Sequence, residues 1–419
     1  MTRRRSDIAP EPETPPPPEA EAAPTSLEEK LRRARRRIKN LEQQTESPES
    51  RWTRQRKALV GKRTTPLIDL PYFPSGNWNA YFRLLYARCP EFGFDPRPLD
   101  GVAEVDDLSP ASLLHLHGTR AAQVGASTTT EATTKTREFI FPIERFVERG
   151  GVLVWSIHDT LPHDCRFPDV EVGLRRRLAA LARGIHVLHE STVEAVRPHY
   201  PLDPAKVFTV EHPLYTGAYP DYVTRAAARG ALDLPSEAVM LLAFGAIRPY
   251  KGFDRLVQLL PRIRRESGRE VRVMIAGRAL ATDDTRGLRH LVRATPGASM
   301  TEDGPPEEAV PQLFRAADVV VLPYREFLNS GVLLLGLTFG VPVVVPRTPV
   351  SASAAASGLV RFFEADSDEN LIEATVAAIA ALGPERPTLD PDFKQRHDPH
   401  HLAGVFAGHL QQLVAPDRE

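Results

Sequence analysis

Phe244-Gly-Ala-Ile-Arg-Pro-Tyr-Lys-Gly252 is the stretch on which the fold turns. The apolar run Val239–Phe244 reads as a buried strand that breaks at Gly245. The loop then offers Arg248 and Lys251 before Asp254-Arg-Leu-Val-Gln-Leu-Leu260 begins a helix. Downstream, Ala317-Asp-Val-Val-Val-Leu-Pro-Tyr324 reads as a second strand, followed by a loop containing Glu326 and by the polar turn Asn329-Ser-Gly331. Asn329 or Ser330 caps an apolar helix that starts at Gly331 and Val332. Two such junctions describe a phosphate-binding crevice at the carboxyl edge of an open α/β sheet. Two cations on one loop neutralise a diphosphate through charge-assisted hydrogen bonds worth roughly 1.5–3 kcal/mol each. A sugar nucleotide is the expected ligand.

Outward from this stretch the same grammar repeats. Strands are predicted at Val239–Phe244, Arg272–Ala276, Ala298–Thr301, Val319–Leu322, Val341–Val345 and Leu359–Phe363. In the first half they fall at Leu67–Phe73, Leu113–His117, Val152–Ile157 and Gly184–His189, with a Thr/Ala-rich loop expected over 119–136. Strands separated by helical stretches argue for parallel sheets covered on both faces. The chain therefore reads as α/β, with two Rossmann-like lobes across a cleft. The first lobe is placed at 64–210 and the second at 211–395, with Val210–Tyr215 as the hinge. A last helix over 396–419 is expected to cross back onto the first lobe.

Ahead of the lobes, residues 1–25 are rich in Pro, Glu and Ala and bury too little apolar surface to fold. Residues 26–63 open with a Ser26/Glu29 capping box and carry Leu27, Leu31, Ala34, Ile38 and Leu41 on one face. Seven Lys and Arg residues between Lys30 and Lys39 line the other. Such a helix suits an anionic membrane surface at about 1 kcal/mol per cation, or stays solvated, or pairs as a short coiled coil.

The formal net charge of −1 gives no bias toward nucleic acid. Cys89 and Cys165 have neither paired-Cys nor Cys/His spacing, which argues against a disulfide framework or a zinc site and points to a reducing compartment. No apolar core follows the basic start, so a secretory signal is not expected and the protein is placed in the cytoplasm. Phe327–Pro346 lacks charge over about twenty residues, the length of a membrane span. Its glycines and Pro342 divide it instead into a buried helix and strand.

Acid–base candidates lie in the first lobe. His158 and Asp159 follow the strand Val152–Ile157, and His163 comes one turn later. At the end of a parallel strand they can take the proton of an attacking hydroxyl, a contribution of roughly 10²–10⁴-fold, or hydrogen-bond a donor sugar. His117 and His212 are further cleft candidates. Taken singly, each of these histidines is more often a structural hydrogen-bonder than a catalyst; their shared position at strand ends favours a site. Ser75, Gly76 and Asn77, in the turn after the first strand, are either a cleft loop or a surface turn on which Trp78 packs.

The quoted junctions, with Ile275-Ala-Gly277, Leu328-Asn-Ser-Gly-Val-Leu-Leu-Leu335 and Gly340-Val-Pro-Val-Val344, resemble the donor lobe of GT-B glycosyltransferases, nearest to family 4. Pro71–Pro74, Leu84–Tyr86, His115-Leu-His117 and Trp155-Ser-Ile-His-Asp-Thr-Leu-Pro-His163 resemble acceptor-lobe motifs of bacterial polysaccharide-assembly members. The resemblance implies transfer of a sugar from a nucleotide diphosphate sugar, a co-substrate, to a saccharide or lipid-linked saccharide. It implies neither an obligatory metal nor a bound cofactor. Lys251 matches the family lysine on the donor phosphates, and Asn329–Gly331 its phosphate-binding helix start. The usual arginine after the strand glycine is Ala246, with Arg248 as its substitute. The two family glutamates fall at Phe327 and Leu335, and Glu326 replaces the first if the loop shifts by one residue. Two rivals remain: a nucleotide-sugar epimerase of the same fold, and an inactive relative acting as a partner subunit.

Overall fold

The computed structural model describes residues 67–73, 80–162, 165–220, 222–279 and 285–415, all within one compact unit. The tail, the basic helix over 26–63, the turn holding Ser75, Gly76 and Asn77, and His163 lie outside the described residues.

Twelve strands form two parallel sheets. The first contains β1 (Ile68–Phe73), β2 (Phe94–Pro98), β3 (Leu113–Leu116), β4 (Val152–Ile157), β5 (Gly184–Val187) and β6 (Val207–Thr209), in the order β2-β1-β3-β4-β5-β6. The second contains β7 (Val239–Phe244), β8 (Val271–Ala276), β9 (Ala298–Thr301), β10 (Val319–Val321), β11 (Val343–Pro346) and β12 (Val360–Phe363), in the order β12-β11-β10-β7-β8-β9. Each sheet reverses direction once, at β1/β3 in the first and β7/β10 in the second. Crossovers leave to opposite sides there, so a crevice opens at the carboxyl ends of these strands. Both junctions singled out in the sequence flank the second reversal, where Val319 pairs with Leu241 and Val320 with Leu242.

The strands are apolar because helices cover both faces. Alternation on β3 sends Leu114 and Leu116 into a core with Trp155, Phe146, Leu178 and Tyr200. Leu113 joins Leu70, Tyr72, Phe94 and Leu85 on the opposite face. That second core is closed by the helix Pro399–Val414, which contributes Leu402, Phe406, Ala407 and Leu410. Asp398 caps it by accepting from His401 N at 2.8 Å, and Pro399 occupies the first turn, where no amide donor is required.

Three expectations change. The Thr-rich stretch is not a loop to 136: the helix Thr129–Glu148 begins eight residues earlier. Thr128 accepts from Glu131 N, Glu131 accepts from Ser127 N at 2.7 Å, and the Thr133 and Thr134 hydroxyls donate to carbonyls one turn back. Strand β2 was not expected, because Phe-Asp-Pro-Arg-Pro holds two prolines; it lies at a sheet edge, where proline is tolerated. The edge strand β6 precedes the hinge segment and was likewise missed. Among the described residues no helix is long and apolar enough to cross a membrane. Phe327–Pro346 resolves into the helix Gly331–Thr338 and the whole of β11. Cys89 and Cys165 form no disulfide, and the first is buried.

Candidate functional site

Beyond β7 the chain turns at Gly245, whose φ of +104° suits glycine. A side chain on Gly277 would lie 1.9 Å from the Gly245 carbonyl oxygen, so the strand ends β7 and β8 touch through backbone. Pro249–Lys251 forms a single 3₁₀ turn, and Gly252 at φ +61° starts the helix Phe253–Ser267. Any Cβ on Gly252 would meet the Pro323 carbonyl oxygen at 2.2 Å. The loop is thus seated on the exit of β10. Arg325 holds it there, donating its amide to Tyr250 O at 2.7 Å and its guanidinium to Pro249 O at 2.7 Å and to the Asp254 carboxylate at 3.2 and 3.0 Å.

Lys251 is 7% exposed, and no described residue pairs with its ammonium through a hydrogen bond or an ion pair. Nζ lies 5.2 Å from the Tyr324 ring centre and 6.0 Å from that of Phe253. Burial first, and Arg248 second, lower its pKa to about 8. Nζ would be 2.7 Å from a Cβ on Gly245, and the Val332 methyl 3.6 Å from the same point. The absent side chain of Gly245 therefore leaves the space between the lysine and the start of the helix Gly331–Thr338.

Ser330, not Asn329, caps that helix, its hydroxyl accepting from Leu333 N at 3.4 Å. Leu333, Leu334, Leu335 and Leu337 are buried beneath it. A side chain on Gly331 would meet the Tyr215 hydroxyl at 2.6 Å and His212 Nε2 at 3.2 Å, so the hinge segment lies directly on the helix start. Asn329 reaches to the first sheet, donating from Nδ2 to the His158 carbonyl at 2.9 Å. Glu326 is exposed on the preceding loop, and Leu335 sits 4% exposed where the family pattern has a carboxylate.

On the first sheet, His158 and Asp159 stand half-buried beyond β4. Their loop is pinned from below by Arg175, which donates to Asp159 O at 2.7 Å, Thr160 O at 3.2 Å and the Tyr200 hydroxyl at 3.0 Å. Arg175 is itself neutralised by buried Glu171 at 2.8 Å. His117 is not at the cleft surface; it is 2% exposed and touches His158, Nδ1 to Nε2, at 2.9 Å. His212 is lowered to about 4, chiefly by burial, and its Nδ1 faces the Pro213 carbonyl at 2.8 Å.

Lys251, Gly245, Gly331, Val332, Asn329, His158 and His212 are thus brought to one place, with Arg248 close enough to Lys251 to act on its charge. The sequence reading assigned no site role to Tyr86, His115, Ser156, His186, Glu171, Arg175 or Tyr215, although Tyr86, His115 and Ser156 lie in the motifs quoted for the first lobe. One signal was present: three successive buried strands each carry a polar residue, His115, Ser156 and His186, and Ser156 pairs with His186 in register. Among the described residues no cluster of acidic, His and Cys side chains suits a metal ion.

The family model for group 1 glycosyl transferases matches residues 238–381. A GDP-mannose:glycolipid 4-beta-D-mannosyltransferase of Xanthomonas campestris pv. campestris is 29% identical, covering 82% of this chain and 91% of the relative. A D-inositol 3-phosphate glycosyltransferase of Saccharomonospora viridis is 33% identical over 33% of this chain and 34% of its own length. The crystal structure of HepE from Anabaena in complex with UDP-glucose shares the fold, with a TM-score of 0.58 at 15% identity over 82% of this chain and 100% of that one. The family segment is the same sheet that carries Lys251 and Gly331, and the longer likenesses run through both sheets: the chain has the GT-B fold, and residues 238–381 form a group 1 glycosyl transferase domain.

Proposed function

We propose that this glycosyltransferase moves a hexosyl group from a nucleotide diphosphate sugar to a hydroxyl of a saccharide or lipid-linked saccharide, with GDP-mannose as the leading donor. The observation that carries the reading is Lys251, an ammonium removed from water with no described anion beside it. Burying a lone charge costs several kcal/mol, and a diphosphate in the adjoining space supplies the missing counter-charge. The relative that spans most of the chain is named for GDP-mannose and a glycolipid, which favours that donor and a lipid-linked acceptor.

In this reading the bond between the anomeric carbon and the phosphate oxygen breaks, and the nucleoside diphosphate departs with the electron pair. Lys251, Arg248 and the free amides at Gly331 and Val332 stabilise the charge that develops on it. These cations remove the need for a metal. The acceptor oxygen bonds to the anomeric carbon and releases its proton, within reach of His158 and Asp159 beyond β4. The Asn329 bond to His158 O keeps the two halves of this arrangement in register.

Calorimetry in EDTA-containing buffer tests the proposal, using GDP-mannose, UDP-glucose and GDP with wild type and Lys251→Ala. Wild type is expected to bind GDP-mannose, with affinity lowered at least tenfold in Lys251→Ala, about 1.4 kcal/mol. Wild type that binds no nucleotide sugar would overturn the reading, and binding without turnover on any lipid-linked saccharide would favour the inactive partner subunit.

A further inference from the structure

Behind His158 lies an unbroken line of buried polar side chains crossing β5, β4 and β3. The Val210 carbonyl faces His186 Nε2 at 3.1 Å, and His186 Nδ1 faces Ser156 Oγ at 2.7 Å. Ser156 Oγ faces His115 Nε2 at 2.8 Å, and His115 Nδ1 faces the Tyr86 hydroxyl at 2.7 Å. The Tyr86 hydroxyl faces His117 Nε2 at 2.6 Å, and His117 Nδ1 faces His158 Nε2 at 2.9 Å. His115, His117, His186, Ser156 and Tyr86 are each no more than 2% exposed. Phe406 of the C-terminal helix roofs the line, with its ring centre 5.3 Å from those of His115 and His186.

A carbonyl can only accept, so His186 must carry its proton on Nε2. A neutral ring then has a bare Nδ1, and Ser156 donates to it. Ser156 oxygen accepts from His115 Nε2–H, leaving His115 Nδ1 bare for the Tyr86 hydroxyl. Tyr86 oxygen in turn accepts from His117 Nε2–H, and His117 Nδ1 accepts from His158 Nε2–H. We propose that this chain, oriented by the Val210 carbonyl, fixes His158 with its proton on Nε2 and presents a bare Nδ1 to the cleft as acceptor for a sugar hydroxyl. The proposal rests on the transferase reading above and makes Tyr86, His115, His117, Ser156 and His186 positioning residues.

Two facts support it. Burial, reinforced by the neighbouring imidazoles, holds His115 and His117 well below their usual pKa and takes His186 to about 3, so each ring stays neutral and the direction cannot reverse midway. His158 itself is half-buried beyond β4, not sealed like the rings behind it, and no described residue pairs with its Nδ1.

The test is nitrogen NMR of full-length protein labelled with ¹⁵N in its histidine rings, where protonated and bare nitrogens resonate far apart. The His158 signals are assigned by their loss in His158→Asn. Wild type is expected to show His158 protonated on Nε2 alone; protonation on Nδ1 would overturn the proposal without recourse to any positioning variant. Tyr86→Phe removes the middle acceptor and lets His117 and His158 reverse. The expected result is mixed tautomers at His158 and turnover lowered roughly tenfold, with affinity for GDP unchanged. If the hydroxyl belongs to the donor sugar, this variant also weakens GDP-mannose relative to GDP; if it belongs to the acceptor, both affinities hold and only kcat falls. A single unchanged tautomer in folded Tyr86→Phe would overturn the proposal. Wild type with the fixed tautomer but no affinity for any nucleotide sugar would leave the chain standing and remove the transferase reading it serves.

Discussion

Lys251 carries a cost that the free protein bears at every pH where the ammonium is charged. Burial and Arg248 lower its pKa to about 8 from 10.5, whereas in the unfolded chain the ordinary value returns. Between these values the unfolded state holds a proton that the folded state lacks, so stability rises with pH across that window; below it both states are protonated and the penalty is complete. A diphosphate beside Nζ restores the proton. At about pH 9, nucleotide binding is therefore expected to take up a proton, up to one per site. Calorimetry in buffers of different ionisation heat reads this directly: the apparent enthalpy should shift with the buffer in wild type and not in Lys251→Met. A wild-type enthalpy independent of buffer would show that no anion settles beside the lysine.

The loops at the second reversal are held by backbone contact at glycines as well as by side chains. Gly252 combines a left-handed backbone with a carbonyl 2.2 Å from where a Cβ would stand, so Gly252→Ala must either move Pro323 or distort the first turn of its helix. The expected loss is about 2 kcal/mol or more in urea unfolding; a loss below 0.5 kcal/mol, the range of an ordinary surface change, would mean that the contact yields easily. This part of the site was legible from the sequence because a glycine at a strand end and cations in the following loop are local signals. The line of imidazoles was not. His115, Ser156 and His186 are neighbours only after β3, β4 and β5 pair, and no spacing within one segment announces them. The helix at Thr129 was concealed by residues usually seen in loops, whose hydroxyls here bond one turn back along the helix. The Glu171–Arg175 pair has ordinary helical spacing, and its hold on the Asp159 loop depends on a fold the spacing does not reveal.

At the scale of the molecule, the division into two sheets was readable from alternating strand and helix patterns, whereas the bridge from Asn329 to His158 was not, since its partner is a backbone carbonyl 171 positions away. The two sheets are also unequal in how they are completed. The core around β1 and β3 is finished by the helix Pro399–Val414, in which Phe406 is wholly buried. Phe406→Ala is expected to cost about 3–5 kcal/mol and, in hydrogen exchange, to release amides of β1, β3 and β5 well before those of β7, β8 and β10. Equal release in both sheets would show that the helix stabilises the molecule as a single block.

That helix also sets an order of events in the cell. A ribosome delivers β1 long before Phe406, so the first sheet emerges with one apolar face open and keeps it open while the second sheet is translated. Domains ordinarily fold in the order they are made. Here the later half has all its strands before the earlier half has its lid, and the imidazole line beneath Phe406 stays uncovered until that helix is made.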